Sequence, residues 1–535
     1  MNSVTPISDS SSIRKISYSQ TNKFSKLVLD YLSNDPRLMD LVDWSRDEKG
    51  YKAALESMDS KTWPRTDLVS ALYSQYKNFK DEYKDAQAVK QGVDLLSENA
   101  YCTVTAHQLN FFTGPLYVIY KAVSTITLAQ KLSLLFPDRE FVPVFWLGTE
   151  DHDLEEIDHF NLFNKTLSWE TKQQGAAGRL ETAFEAFAEL MGESENAEVL
   201  KALFSEVYNS DRTLGEAQHL LLHRLFGAHG LLVLNADTPE LKKVIAPIIS
   251  RELKENIAKS SVADASELLA KDWHVQAPSR DINLFLIDQT GRHRIDKTET
   301  GFRALNGIEY SLESLLQKLE DTPEVFSPNV LIRPLQQQII LPAIATIGGG
   351  GELAYWLQLR DLFKNTDVFF PVLMLRNSVL WVDKGSGKKI GSLNLDIETL
   401  FSEQEALVKD WVRAHEQDEI NLDQAKSAME KEFEAIAEKV NAIDKGLVGR
   451  VQSEKAQLLK SIDKLEVKLM KAAKDRHEVS LNQLRKTQDK LFPAKGLQER
   501  KENFAPIYLR QGTKFIDTLV KVLDPMEECF TIISE

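Results

Sequence analysis

Cysteine and long apolar runs are scarce in this chain, and its 65 lysines and arginines are outnumbered by 80 acidic residues. Its two cysteines, Cys102 and Cys529, lie far apart, which excludes a disulfide framework or a zinc site built from cysteines and fits a reducing cytoplasm. The formal net charge of −15 argues against nucleic acid or an anionic membrane as the main partner. No apolar run approaches the roughly 20 residues that span a bilayer, and residues 1–12 carry no hydrophobic signal core. We therefore expect a cytoplasmic protein that binds neither nucleic acid nor a membrane.

The chain is long and apolar enough to build several cores. It has 535 residues, of which 43% are hydrophobic, so global disorder is excluded and several domains are expected. Changes in pattern along the chain predict six segments. They are an N-terminal helical segment (1–84), the first half of an α/β core (85–165), a mixed α/β insertion (166–324), the second half of the core (325–399), a coiled-coil hairpin (400–492) and C-terminal helices that pack back on the core (493–535).

A strand, a helix and a strand follow one another within residues 101–147. Tyr101–Thr105 is a short strand candidate, Pro115–Leu135 has the pattern of a helix with proline in its first turn, and 141–147 is an apolar run typical of a strand buried on both faces. Such a unit predicts a parallel sheet with a right-handed crossover. Short strands are also expected in the insertion at 231–234 and 282–287.

The last third of the chain has a narrow apolar stripe. Apolar residues recur at three- and four-residue steps over 422–443 and again over 458–472, with charged residues around them. A break at 444–449 permits a reversal. Two helices of about 40 residues would form an antiparallel hairpin on the order of 60 Å long. An exposed arm of that kind predicts a homodimer.

Ionisable residues follow the predicted strand 141–147. The carboxyl end of a strand is where open α/β sheets bind ligands, and carboxylates there can orient an amine or act as a general base. If the strand continued, Asp151 and Asp153 would point one way and His152 the other. We therefore predict Asp151, His152 and Asp153 as catalytic residues. A solvated loop, or a metal site that includes His159, remains open as an alternative.

Two further stretches place glycine before a helix. The first runs from His107 to Tyr117 through Thr113 and Gly114, and the second is Gly348–Gly351. Free N–H groups at a helix start favour an anion, so both loops are predicted anion sites, with a plain helix start or a linker as the alternative. Arg333 could clamp a carboxylate. The second loop lacks the Lys-Ser/Thr of a P-loop.

These stretches together resemble the bacillithiol cysteine-adding enzymes, the BshC family. The motifs are Phe112–Tyr117, Val142–Asp153, Ser327–Pro334, Gly349–Trp356 and Leu497–Arg500. The resemblance covers most of the chain, with one departure: His107 stands where the family loop commonly has glutamine. The residues that it marks for substrate binding are His107, Gln108, Asn110, Thr113, Gly114, Tyr117, Glu150, Arg333, Gly349, Gly350, Gly351, Glu352, Tyr355 and Trp356.

The resemblance implies a fold and an activity. The fold is an α/β, Rossmann-like parallel sheet core interrupted by a mixed insertion, plus a long antiparallel coiled-coil hairpin that helps to form a homodimer. The activity is a ligase that joins L-cysteine to the amine of glucosaminyl malate, the last step of bacillithiol biosynthesis. The core is similar in layout to class I aminoacyl-tRNA synthetases, but their nucleotide signatures are absent, so use of ATP as cofactor is not readable; no metal is expected. A metal-dependent hydrolase using Asp151, His152 and His159, or a non-catalytic coiled-coil scaffold, are the alternatives.

Overall fold

The computed structural model describes residues 5–7, 11–163, 165–169, 171–182, 191–416 and 422–535. The strands, in chain order, are β1 Thr5–Ile7, β2 Ser11–Ser17, β3 Tyr101–Gln108, β4 Phe141–Gly148, β5 His159–Leu162, β6 Lys165–Ser168, β7 Leu232–Asn235, β8 Leu284–Asp288, β9 Gly291–Lys297, β10 Phe302–Ala304, β11 Glu309–Tyr310, β12 Phe326–Pro328, β13 Ala343–Gly348, β14 Val372–Leu375, β15 Ser378–Val382 and β16 Cys529–Ser534. The helices are α1 Lys26–Leu32, α2 Pro36–Met39, α3 Glu48–Met58, α4 Arg65–Gln75, α5 Gln87–Glu98, α6 Tyr117–Leu135, α7 Leu154–Ile157, α8 Glu195–Val207, α9 Leu214–Phe226, α10 Pro239–Glu255, α11 Ile257–Ser261, α12 Ala263–Ala270, α13 Leu312–Asp321, α14 Arg333–Ile340, α15 Gly350–Trp356, α16 Arg360–Asn365, α17 Lys384–Ser392, α18 Gln404–His415, α19 Asp423–Ile443, α20 Val448–Arg476, α21 Glu478–Leu491, α22 Ala505–Gln511 and α23 Lys514–Val522.

A five-stranded parallel sheet forms the centre of the fold. Its strand order is β14-β13-β3-β4-β7, and every neighbouring pair is parallel. From β3 the chain goes to β4 and β7 on one side, whereas β13 leads to β14 on the other side. The direction of connection therefore reverses between β3 and β13, which is the position where open α/β sheets form a ligand crevice.

The predicted β3–α6–β4 unit is confirmed. All three elements are apolar because the sheet is covered on both faces: β3 and β4 are buried along almost their whole length, and α6 is buried from Val118 to Ala129. The outer strand β7, however, comes from the segment 166–324 that was expected to interrupt the sheet. Its four residues are too few for the sequence to indicate which sheet they join.

Besides the short antiparallel pair β5-β6, two further sheets accompany the central one in the described ranges. The insertion contributes an antiparallel sheet with the order β11-β10-β9-β8-β12. The other sheet, β1-β2-β16-β15, joins both ends of the chain, because β16 pairs with β2 and with β15. The N-terminal segment 1–84 and the C-terminal segment 493–535, both expected to be helical, therefore each supply strands as well. The pairing of β2 with β16 has no local signal in the sequence, because the two strands lie at opposite ends of the chain.

Helices α19 and α20 form the coiled-coil hairpin. Lys426 on α19 pairs with Glu466 on α20, and Lys455 pairs with Glu434, so the two arms run antiparallel. The helices have 21 and 29 residues, or about 30 and 45 Å at 1.5 Å per residue. Both arms are shorter than expected, and the second ends at Arg476, with α21 beginning at Glu478. Residues 417–421, within the predicted hairpin, lie outside the described residues.

Two histidines of α9 are buried beside aromatic rings. His219 is within hydrogen-bond distance of the Tyr83 hydroxyl (2.9 Å), and His223 packs against the same ring. Burial and the neighbouring His223 lower the pKa of His219 to about 3. Burial and the neighbouring Arg224 lower the pKa of His223 to about 4. Both imidazoles are therefore neutral in the folded protein at neutral pH.

The free energy of unfolding should fall as the pH is lowered from about 6.5 to about 4. The unfolded histidines bind protons near pH 6.5, whereas the folded ones do so only near pH 3 and 4, so acid favours the unfolded state. Urea titrations across this range measure the effect. His223→Gln should flatten the slope, and the exposed His274→Gln should not; equal slopes in all three proteins would contradict the assignment.

No helix in the described ranges is both long enough and apolar enough to cross a membrane.

Candidate active site

A cavity of about 490 Å³ opens at the carboxyl edge of the central sheet. It lies where β3, β4 and β13 end, at the reversal of strand connection. Segments from the insertion and from the C-terminal end of the chain complete its wall. The lining residues are Ala106, His107, Gln108, Tyr117, Lys121, Trp146, Leu147, Gly148, Thr149, Glu150, Asp151, Arg292, Pro328, Asn329, Val330, Arg333, Gly349, Gly350, Gly351, Glu352, Tyr355, Arg376 and Arg500.

The cavity brings together most of the site residues predicted from the sequence. The predicted residues that line it are His107, Gln108, Tyr117, Glu150, Asp151, Arg333, Gly349, Gly350, Gly351, Glu352 and Tyr355. Those that do not line it are Asn110, Thr113, Gly114, His152, Asp153 and Trp356.

Asp151 is the member of the acidic cluster that faces the cavity. Its carboxylate accepts hydrogen bonds from the Gln108 side chain (2.5 Å) and from the backbone N–H of His152 (2.8 Å). The guanidinium of Arg292 is 4.0 Å away. The expected alternation of Asp151, His152 and Asp153 fails because β4 ends at Gly148 and the chain turns. His152 is 44% exposed, and Asp153 is exposed at the start of α7.

Glu150 is held by a buried lysine from the insertion. Lys242 on α10 is fully buried, lies 2.7 Å from the Glu150 carboxylate and donates to the Phe326 carbonyl at 2.6 Å. A buried ammonium needs such partners, because an uncompensated charge in the interior costs several kcal/mol. The pair ties the end of β4 to α10 and β12, so the position of Glu150 depends on the insertion.

The glycine loop binds a carboxylate of the chain itself. Glu352 accepts a hydrogen bond from the Gly349 N–H at 2.9 Å and pairs with Lys121 at 2.5 Å. Part of the predicted anion site is therefore occupied by Glu352. A Cβ at Gly348 would lie 2.8 Å from the Cβ of Glu352, and one at Gly350 would lie 2.8 Å from Val28. These glycines are needed for close packing of β13, α15 and α1.

Four predicted ligand-binding residues lie in the packed interior instead. Asn110, Thr113 and Gly114 form a buried turn against the C-terminal segment, where Asn503 donates to the carbonyls of Phe112 and Gly114 at 2.8 and 2.7 Å. The Leu116 N–H of this turn donates to the Glu502 carbonyl, so it is not free for an anion. Trp356 is buried against Phe363 and Phe370.

The sequence reasoning missed four basic residues in the cavity. Lys121, Arg292, Arg376 and Arg500 all line it. With Arg333 there are five basic side chains against three carboxylates, those of Glu150, Asp151 and Glu352. The apolar helix around Lys121 was a usable signal, since a lysine there must point to a partner. Arg376 directly follows β14, so its position at a strand end was also a usable signal, and Arg500 stands in the Leu497–Arg500 motif. Arg292 gave no signal, because it reaches the cavity from the insertion.

Buried charges surround His107. Lys121 is buried and donates to the Ala106 carbonyl at 2.6 Å, and Arg376 is buried with its guanidinium over the Tyr117 ring, 5.3 Å from its centroid. Burial and the positive charges of Lys121 and Arg376 hold the pKa of His107 well below its usual range. Burial also lowers the pKa of Lys121, although Glu352 opposes it. His107 is therefore a neutral hydrogen-bonding group, within 3.3 Å of the Tyr117 hydroxyl.

Comparison with known proteins assigns this arrangement to a family. The model of the bacillithiol biosynthesis BshC N-terminal Rossmann-like domain matches residues 12–377, and that of the BshC C-terminal coiled-coil domain matches residues 379–535. The chain belongs to the BshC family. The two matches cover nearly the whole chain, so the BshC architecture of a Rossmann-like core and a coiled coil is confirmed.

Full-length relatives agree with the family models. A protein of Flavobacterium psychrophilum named "Putative cysteine ligase BshC" is 38% identical over 97% of this chain and 98% of its own. Proteins with the same name from Flavobacterium johnsoniae and Bacillus cytotoxicus are 37% and 26% identical, over 97% and 92% of this chain and 99% and 95% of their own. A solved structure titled as an arginyl-tRNA synthetase from Campylobacter jejuni covers 83% of this chain and 98% of its own at 10% identity, but its TM-score of 0.23 carries no argument.

The described ranges contain no cluster of metal-binding side chains that would support the alternative of a metal site. No group of three or more His, Cys, Asp or Glu side chains there could hold a metal ion. His159 is paired with its neighbour Asp158 at 2.9 Å and does not line the cavity with Asp151.

Proposed function

We propose that this BshC protein is a cysteine ligase that joins the carboxyl group of L-cysteine to the amine of glucosaminyl malate. The observation that carries the proposal is membership of the BshC family over both domains, with relatives named for cysteine ligation at up to 38% identity in the matches above. We also propose a cytoplasmic location, since two free cysteines that are distant in sequence suit a reducing compartment.

The acidic end of the cavity suits the amine. An amine attacks only when neutral, so a group within hydrogen-bond reach must take its proton. Asp151 lines the cavity and its carboxylate is fixed by Gln108 and a backbone N–H. We assign Asp151 as the first candidate for binding the ammonium and accepting its proton. His152 and Asp153 are outside the lining, which leaves them a supporting role at the rim.

The basic side chains suit the carboxylates of both substrates. Glucosaminyl malate carries two carboxylates and cysteine carries one, and charge-assisted bonds from arginine and lysine are the usual means of holding such groups. The excess of basic over acidic side chains in the cavity supports this assignment.

Direct binding tests the proposal against a non-catalytic scaffold. Glucosaminyl malate should raise the melting temperature of the purified protein, because a ligand that binds only the folded state stabilises it. The matched compound without the amine should stabilise it less. A melting temperature that glucosaminyl malate leaves unchanged would favour the scaffold, and a stoichiometric transition metal in the purified protein would favour the hydrolase.

A homodimer through the hairpin is also proposed. Several apolar side chains of α19 and α20 remain open to solvent in the single chain: Met429, Ile436, Leu465, Val467 and Leu469 are 38–69% exposed. Apolar side chains grouped in this way mark an interaction surface.

Removing the hairpin should make the protein monomeric. Light scattering of the full chain is expected to give a dimer, and deletion of residues 415–480 should give a monomer. A variant with Lys439→Ala on α19, which leaves the apolar residues in place, serves as the control and should remain dimeric. A dimer that survives the deletion would show that another surface joins the two copies.

A further inference from the structure

The C-terminal segment brings one arginine to the cavity of the Rossmann-like core. Gln498–Arg500 forms a 3-10 turn after the coiled coil. Gln498 accepts from the Trp381 N–H and donates to the Trp381 carbonyl, both at 3.0 Å. These bonds fasten the turn to β15, and Arg500 then lines the cavity.

Glu499 fixes the same turn from within the protein. It is fully buried and accepts hydrogen bonds from Arg376 (2.8 Å), the Ser378 hydroxyl (3.1 Å) and the Val379 N–H (3.1 Å). Arg376, which also lines the cavity, is thus already paired. The flanking residue Arg500 is placed by this anchor, since its side chain has no hydrogen-bond or ion-pair partner among the residues that the structure describes.

Arg333 and Arg500 differ from the other cationic residues of the cavity. Lys121 is paired with Glu352, Arg376 with Glu499, and Arg292 lies 4.0 Å from Asp151. In the described ranges, no carboxylate lies within 4 Å of either Arg333 or Arg500. Arg333 is held only by neutral groups, the Gln337 side chain (3.0 Å) and the Tyr355 hydroxyl (3.1 Å). Two guanidinium groups without counter-charges in one cavity, one of them oriented by neutral partners, call for an anionic ligand.

We propose that Arg333 and Arg500 bind the two carboxylates of the malyl group, one each, so that the C-terminal domain completes the substrate site. This inference rests on the proposed function, because the malyl group belongs to its acceptor substrate. A cavity of about 490 Å³ accommodates a dicarboxylate between arginines from two domains. The pair of arginines then selects for a second carboxylate, which distinguishes a malyl compound from a compound with a single carboxylate.

Isothermal titration calorimetry on the full-length protein tests this assignment with two ligands. Glucosaminyl malate carries both carboxylates, and glucosaminyl lactate lacks one of them. Arg333→Ala and Arg500→Ala should each weaken binding of glucosaminyl malate at least tenfold. One of the two variants should bind the lactate compound as well as wild type does, because the carboxylate that its arginine binds is already missing. Arg303→Ala, which removes an exposed arginine paired with Glu309, is the control and should bind both ligands normally.

The outcomes separate the two proposals. If Arg500→Ala binds glucosaminyl malate normally, the subsite is wrong while the ligase proposal stands. If wild type does not bind glucosaminyl malate, the ligase proposal fails. The dicarboxylate subsite is then tested by comparing the binding of free malate with that of free lactate. If wild type binds free malate and Arg500→Ala does not, the proposed dicarboxylate subsite is supported. Equal binding of malate by wild type and both variants, or no binding at all, would overturn it.

Discussion

Replacing Glu499 with glutamine is expected to lower the free energy of unfolding by about 3–5 kcal/mol. The Arg376–Glu499 pair is almost inaccessible, with 4% and 0% of the side chains exposed. Removing one charge of such a pair leaves the other buried without compensation, which is the costly case for buried ions. Burial acts to lower the pKa of Arg376, and Glu499 raises it. Without Glu499 the guanidinium still stays charged at neutral pH, because an arginine side chain has a very high intrinsic pKa. Urea denaturation measures the loss.

Two further variants test whether the loss of stability comes from an unpaired buried charge. Glu309→Gln removes a carboxylate from an exposed pair with Arg303 and should cost at most about 1 kcal/mol. The double variant Arg376→Met with Glu499→Leu should be more stable than Glu499→Gln alone, since no charge is left unpaired. A change below about 1 kcal/mol for Glu499→Gln would show that water or another group compensates Arg376.

Replacing Asp151 with asparagine is expected to lower kcat/KM at least tenfold, which is about 1.4 kcal/mol of transition-state stabilisation. Asparagine keeps the shape, and its single amide oxygen can still accept from Gln108 or from the His152 N–H, which now bond to separate carboxylate oxygens. It cannot take a proton or pair with an ammonium. The loss should therefore appear in turnover without a loss of folding.

Two control variants test whether the loss of turnover depends on a carboxylate that lines the cavity. Asp281→Asn changes an exposed carboxylate that pairs with Lys259 and should leave turnover unchanged. His152→Ala should have a smaller effect than Asp151→Asn, since His152 does not line the cavity. Normal turnover in both Asp151→Asn and His152→Ala, with normal folding, would show that the cluster is structural.

Local pattern was enough to predict the part of the site that lies at strand ends. Gln108 ends β3, Asp151 follows β4, and Gly349 follows β13. Neighbouring parallel strands place their carboxyl ends at the same edge of a sheet. The apolar runs that predict these strands therefore also predict that the polar residues after them lie close together. The same reasoning failed for His152 and Asp153, because it could not say at which residue β4 would stop.

Long-range contacts account for what the sequence could not predict. Arg500 reaches the cavity only because the turn after the coiled coil packs on β15. The glycine loop looked open to an anion, yet Glu352, three residues after Gly349, turns back to cap it. Side-chain charges were counted from the sequence, but which of them pair with one another depends on the fold.

Thiol profiling by mass spectrometry in a strain that lacks this gene tests the central claim most directly. We expect glucosaminyl malate to accumulate and bacillithiol to disappear in this strain. The wild-type gene, but not the Asp151→Asn variant, should restore the thiol at its normal rate. A deletion strain with an unchanged level of bacillithiol and no accumulated glucosaminyl malate would contradict it.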